Sequence, residues 1–236
     1  DFLADKIRGR VNNPILAEKL TPKDHGFGTR RVPLETNYYE SYNQENVELI
    51  DISDTPIERV TQNGILTTDK EFEFDFIIYA TGFDAIFGGY NRIDIRGVNQ
   101  RRLKDQWEEE LATFLGFQTK GFPNLFMIMG PHAMQGNNPR NIEYNVEWIT
   151  DVIKYMNDRG LTRAEASSES QNGWHEYVLE QGKDLLMTQI DSWFTGINSN
   201  IEGRQTRITA MYRGSMQSFR NRCEEAAENG YKELWS

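Results

Sequence analysis

One stretch, residues 71–85 (EFEFDFIIYATGFDA), constrains the fold more than any other. Charges and rings alternate from Glu71 to Phe76, the period-two pattern of a strand with one buried face. The run turns wholly apolar at Ile77, Ile78, Tyr79 and Ala80, as a strand does inside a sheet covered on both sides. Thr81-Gly82 ends it. Glycine allows a sharp turn and a close ligand, because no Cβ intervenes. Ligands of open α/β sheets sit outside the carboxyl ends of strands. Taken alone, the stretch also fits a strand followed by a plain tight turn.

The rest of the chain alternates helices with strands, which predicts an α/β fold. Residues 1–20 read as two helical pieces broken at Asn12-Asn13-Pro14. A turn-rich crossover loop follows, and then a short strand at residues 47–52. Asn63-Gly64 predicts a hairpin between 57–61 and 65–67. Residues 102–111 read as a short helix carrying Trp107. The sequence LFMIMGP at 125–131 predicts a second buried strand ending on glycine. Asn138-Pro139 opens the clearest helix, with Ile142, Val146, Ile149, Ile153 and Met156 as its buried stripe and Gly160 as its stop. Further helices are predicted over 174–190 and 216–229.

With 26 basic and 36 acidic residues, the net charge of −10 argues against general nucleic-acid binding. Cys223 is the single cysteine, so no internal disulfide forms, and a reducing, cytoplasmic setting is expected. The longest apolar runs are far too short for a membrane-spanning helix, and no basic-then-apolar leader is present. The chain begins at Asp1, as expected of a piece of something longer or of a processed chain.

Few motifs carry chemistry. GFGTRR at 26–31 fails as a dinucleotide fingerprint: Arg31 replaces its third glycine and no strand precedes it. His25, His132 and His175 are scattered without metal-ligand spacing, so no metal is expected. Arg30-Arg31 in a glycine-rich loop is either a solvated pair or a clamp for a phosphate or developing oxyanion, since guanidinium is always charged. Trp193 is either a lid residue offering an indole N–H or a core tryptophan.

DFIIYATGFDA, then FPNLFMIMGP, IEYNVEWI and SWFTGIN, in this order and spacing, resembles the C-terminal part of the Baeyer–Villiger monooxygenases. TRRVPLETNYYESYNQENVELID upstream is also similar. These flavoproteins use FAD, NADPH and O₂ to insert one oxygen atom beside a ketone carbonyl, giving an ester or lactone. The resemblance implies that Arg31 is the catalytic arginine, stabilising the negatively charged flavin peroxide and the oxyanion formed on the ketone. Arg30 falls where the family usually has a lysine that contacts the NADPH 2′-phosphate. Thr81, Gly82, Phe83 and Asp84 match the strand end beside the FAD, and Ile142 and Glu143 match positions near the flavin ring. Trp193 and Asn198 match a loop that closes over the nicotinamide cofactor. Met134, Gln135, Asn137 and Asn138 fall in the substrate pocket.

The family's two G-x-G-x-x-G turns are absent from these 236 residues. The resemblance therefore implies the C-terminal halves of two Rossmann-like domains. Residues 1–29 end a helical insertion, 30–75 complete the NADP domain and 76–236 complete the FAD domain, which leaves a strand edge and an apolar face uncovered. The isolated chain is expected to be inactive. A non-catalytic remnant or partner subunit docked on a companion chain is the rival reading, and a nitrogen- or sulfur-oxygenating flavin monooxygenase is a third.

Overall fold

The computed structural model describes residues 2–198, 201, 203 and 205–235. Helix and sheet are mixed, and the chain divides into two compact units, Asp1–Gly82 and Phe83–Ser236.

The first unit begins with α1 (Phe2–Arg8) and α2 (Pro14–Leu20). The predicted break is a helix cap. Asn13 Oδ1 accepts from the amides of Ile15 and Leu16 at 2.9 and 3.2 Å, and Pro14 takes the first helical position, where no amide is needed. After the one-turn α3 (Tyr38–Ser41) come β1 (Ile57–Val60), β2 (Gly64–Thr67) and β3 (Glu71–Glu73), an antiparallel meander in that order. The hairpin at Asn63-Gly64 forms as predicted, with β1 pairing β2. Gly64 faces Glu73, and a Cβ there would lie 1.8 Å from Phe72 O, so this strand pair closes only over glycine.

Two expectations are corrected in this unit. Residues 47–52 form no strand. The long central strand is cut to β3, whose last ladder-like bond is Phe74 N to Asn63 O at 3.0 Å. Beyond it, Phe76, Ile78 and Tyr79 are 89%, 90% and 69% exposed. Among the described residues no further strand pairs with this segment.

The second unit holds α4 (Gly88–Asn91), α5 (Leu103–Glu109), α6 (Asn138–Arg159), α7 (Ser168–Gly182) and α8 (Met216–Glu228). Its main core joins Phe117, Trp148, Val152, Trp174, Val178, Tyr212, Phe219 and Cys223. Each of the large side chains is worth about 1.5–3 kcal/mol of burial. The helix of Trp107 forms as α5, α7 starts and stops earlier than predicted, and α6 closes on Gly160 at φ 64°. Phe117 stacks at a tilt on Trp148, their centroids 4.7 Å apart.

The buried face of α6 also differs from the predicted stripe. Ile149 and Met156 are buried, but Ile142, Val146 and Ile153 are exposed, and Asn141, Asn145, Trp148 and Val152 take the inner positions. Hydrogen bonding turns the helix this way. Asn145 Oδ1 accepts from Met129 N at 2.9 Å, and Trp148 Nε1 donates to Cys223 O at 3.0 Å.

The strand predicted at 125–131 is likewise absent. Left-handed backbone at Asn124, Met129 and His132 bends the segment around residues 111–119, every one of which is buried. Polar groups inside that loop are paired. Thr113 Oγ1 donates to Pro131 O at 2.8 Å, and Thr119 Oγ1 contacts Ala112 O and Gln171 Oε1 at 3.0 and 3.1 Å.

Candidate active site

In the first unit, Arg30 and Arg31 lie on an exposed loop between two anchors. Upstream, buried Thr29 closes the turn, its Oγ1 donating to Gly26 O at 2.6 Å. Downstream, Arg10 grips Glu40 with Nε and Nη2, both at 2.6 Å, and Glu35 with Nη1 at 2.5 Å. Its guanidinium also lies 5.0 Å from the Tyr39 ring centroid. This clamp holds the Arg10 proton more tightly than usual and depresses the pKa of both carboxyls, first through the hydrogen bonds. Arg10 therefore fixes the loop that presents Arg31, and no motif pointed to it.

Arg30 pairs with Asp24 at 3.1 Å. Asp24 is held below its ordinary carboxyl range, chiefly by its hydrogen bond to His25 and then by Arg30. Arg31 is exposed and makes no ion pair or hydrogen bond with the described residues. Thr81 and Gly82 are exposed at the end of this unit. Gly82 has φ 88° with nothing within 4 Å of a Cβ position, which leaves its backbone open to a close ligand.

In the second unit, Phe83 is 90% exposed and Asp84 is partly buried beneath Gly88. Asn137 is the N-cap of α6, its Oδ1 accepting from Arg140 N at 3.3 Å, and Asn138 opens the helix. Ile142 and Glu143 stand exposed one turn on. Met134 O accepts from Asn141 Nδ2 at 3.3 Å, and Met134 pairs with Tyr212 in an isolated parallel bridge beside partly buried Gln135.

Trp193 begins a helical turn capped by Ser192, with its ring tilted 4.2 Å from that of Phe194. It is a half-exposed residue on a turn, not a core tryptophan. Asn198 is partly buried nearby in sequence.

One segment, 208–213, ties the Met134 loop to the Trp193 turn. Ile208 N donates to Thr195 O at 2.9 Å, and His132 N to Ala210 O at 3.0 Å. Arg213 Nη2 reaches Phe194 O at 3.4 Å while its guanidinium sits 4.7 Å from the Phe194 ring. Burial lowers the Arg213 pKa.

His132, fully buried, donates from Nε2 to Thr209 O at 2.8 Å, which leaves Nδ1 an acceptor without a hydrogen-bond partner. Its ring lies 5.3 Å from that of His175, and burial pushes its pKa down to about 4. The histidines read as ordinary in the sequence; only the fold reveals this pairing. Among the described residues no group of three potential ligands surrounds a metal position.

A cleft of about 100 Å³ opens beside Phe194, Thr195, Ile208 and Arg213, next to the Trp193 turn. A larger one of about 290 Å³ lies at Trp174, Tyr177 and Arg222, and is lined by none of the residues that the motifs named. The smaller cleft belongs to the site on geometric grounds.

Whether these residues suit a dinucleotide can be judged from their form. In the first unit, the open Gly82 backbone and exposed Arg31 each suit contact with an anionic ligand, and in the second the half-exposed Trp193 offers a planar face. Among the described residues, no glycine-rich turn feeds a long helix, so the phosphate cradle is lacking.

No family model matches the chain. Curated relatives do. It is 44% identical over 98% of its length to 2-oxo-Delta(3)-4,5,5-trimethylcyclopentenylacetyl-CoA monooxygenase of Pseudomonas putida, spanning 43% of that protein. It is 39% identical to cyclopentanone 1,2-monooxygenase of a Comamonas species, over 98% of this chain and 42% of the relative. Phenazine N-monooxygenase of Lysobacter antibioticus is 35% identical over 98% of this chain and 42% of its own.

Among solved structures, OTEMO in complex with FAD and NADP superposes with a TM-score of 0.88 at 43% identity, over 99% of this chain and 43% of that one. Fold and sequence together define a part of a flavoprotein monooxygenase. More narrowly, the chain belongs with the Baeyer–Villiger monooxygenases, as the motifs implied, and spans less than half the length of the relatives it matches.

Proposed function

We propose that this chain is the C-terminal portion of an FAD- and NADPH-dependent Baeyer–Villiger monooxygenase that converts a ketone and O₂ to an ester or lactone. The match over 99% of the chain to a structure holding FAD and NADP carries this reading. Residues 1–29 would end a helical insertion, 30–75 would complete the NADP domain and 76–236 would complete the FAD domain, both of Rossmann type. Lone, buried Cys223, its thiol pushed up to about 12 by burial, is consistent with a cytoplasmic setting.

FAD, when bound and reduced by NADPH, supplies the oxygen-transfer chemistry. The chain's residues orient and stabilise. Arg31, cationic at any working pH, stabilises negative charge developing on the ketone oxygen. Arg30 adds a forked donor suited to the 2′-phosphate of NADPH. Thr81, Gly82, Phe83 and Asp84 would help to hold FAD, as would Ile142 and Glu143. Trp193 and Asn198 would help to hold the nicotinamide cofactor, and Met134, Gln135, Asn137 and Asn138 would bound the ketone.

A chimera tests this: the chain replaces the matching portion of the Pseudomonas putida relative, and ketone-dependent NADPH oxidation and ester formation are measured. Arg31→Ala should lower ester formation by at least about 100-fold while NADPH still reduces the flavin. Unchanged ester formation in that variant would contradict the role. The phenazine N-monooxygenase relative supports a second reading, nitrogen oxygenation. A chimera that oxidises phenazines in preference to ketones would establish it.

A further inference from the structure

The turn that carries Trp193 is a stiff piece hung on its neighbours. Ser192 and Thr195 cap each other: Ser192 N donates to Thr195 Oγ1 at 3.1 Å, and Phe194 N donates to Ser192 Oγ at 3.2 Å. These bonds are local and set the shape of the turn, not its place. Its place comes from residues 208–213. Ile208 N donates to Thr195 O at 2.9 Å and Arg213 Nη2 to Phe194 O at 3.4 Å. Gly196, at φ 75°, lies so close that a Cβ there would stand 2.4 Å from Ile208 Cγ1.

The 208–213 segment belongs to no sheet and is itself held by the loop at 130–134. Met134 meets Tyr212 in the parallel bridge, and His132 N donates to Ala210 O at 3.0 Å. Those contacts depend on backbone alone. The His132 side chain adds one that depends on the residue: its fully buried ring donates from Nε2 to Thr209 O at 2.8 Å. That bond fixes the proton on Nε2 and leaves Nδ1 buried without a hydrogen-bond partner. A buried ring with one nitrogen unsatisfied is a costly choice for filling space, and the bond it does make joins two segments far apart in the chain.

We infer that His132 is a positioning residue, which through Thr209 O and Ala210 O sets the 208–213 segment and so the place of the Trp193 turn relative to the Met134 loop. This rests on the proposed roles of Trp193 at the nicotinamide cofactor and Met134 at the ketone, and makes His132 the link between them. With the link cut, the turn keeps its shape but loses its place. NADPH is then held less well, and its electrons reduce O₂ to hydrogen peroxide in place of forming ester.

The test pairs amide exchange on the whole chain with turnover by the chimera. His132→Leu removes the donor, and His132→Gln returns an N–H near the Nε2 position. The Leu variant should speed exchange of the Ile208 amide by at least about tenfold, while the Phe194 amide inside the cap keeps the parent's rate. In the chimera it should raise KM for NADPH and lower the ester formed per NADPH consumed, each by at least about threefold, and Gln should restore both. Ser167→Ala, which uncaps α7 and loosens the same unit elsewhere, should leave both at parental values. If His132→Leu does not fold, His132→Asn, whose amide falls short of Thr209 O, takes its place.

Parental Ile208 exchange in the variant without the donor overturns the inference. So does failure of Gln to restore coupling, or the same losses in Ser167→Ala. Faster Ile208 exchange in a chain whose chimera turns over no ketone upholds the link and removes the functional reading. A chimera that makes ester with parental coupling in the Leu variant does the reverse.

Discussion

The loop at 111–119 and the segment at 75–82 make an instructive pair. Neither forms regular structure, yet the first is buried throughout and the second is exposed almost throughout. The loop has Thr113, Gln118 and Thr119 bonded to carbonyls and a glutamine side chain, and Phe117 inserted among Trp148 and Phe219. The segment has the more apolar sequence and none of these partners. Burial here follows the availability of a complementary surface, not hydrophobicity. The second unit contains its own core, whereas the end of the first stands exposed.

Substitutions can break or sharpen that contrast. The largest effect is expected for Phe219→Ala, which empties the aromatic cluster of Trp174, Tyr212 and Phe117 and should cost about 3–5 kcal/mol in denaturant unfolding.

Acid should act next, and through the same unit. His132 has its pKa depressed from 6.5 to about 4 by burial, with His175 adding a smaller effect. Above pH 6.5 folded and unfolded forms are both neutral. As pH falls from 6.5 to about 4, only the unfolded chain takes up the proton, so about 3 kcal/mol of stability is lost across that window. Thermal unfolding against pH should show the slope, and His132→Gln should flatten it.

Gly64→Ala drives a methyl into Phe72 O and should cost about 1–3 kcal/mol, read as lost protection of the β2–β3 pair. Asn13→Ala removes the cap of α2 and should cost about 1 kcal/mol. At the bottom of the scale, Ile78→Ala should change stability by no more than about 0.5 kcal/mol, though by composition alone it is a core residue. A cost near that of Phe219→Ala would erase the contrast.

What could be read from the residues divides along the same line. Caps and turns are local chemistry, so Asn13-Pro14, Asn63-Gly64, Pro139 and Gly160 all mark boundaries that the structure keeps. The strand at 74–80 was misread because period two reports an environment, and none of the described residues pairs with that segment. LFMIMGP failed for a different reason: Met129 and His132 adopt left-handed backbone that a non-glycine sequence does not announce. In α6 the stripe was misplaced because buried Asn141 and Asn145 look like surface residues until their partners on the 129–134 loop are seen. Among the site residues, the motifs named Arg31 and Trp193, but not the Arg10 clamp, His132 or Arg213, whose roles arise from contacts distant in sequence.

Amide hydrogen exchange on the whole chain tests the central contrast most directly. Residues 75–82 should exchange at close to the rate of an unstructured peptide, while 111–119 and the middle of α6 stay protected to near the global unfolding limit. Strong protection across 75–82 would mean that the segment is paired or buried after all, and the contrast between the two regions would fail.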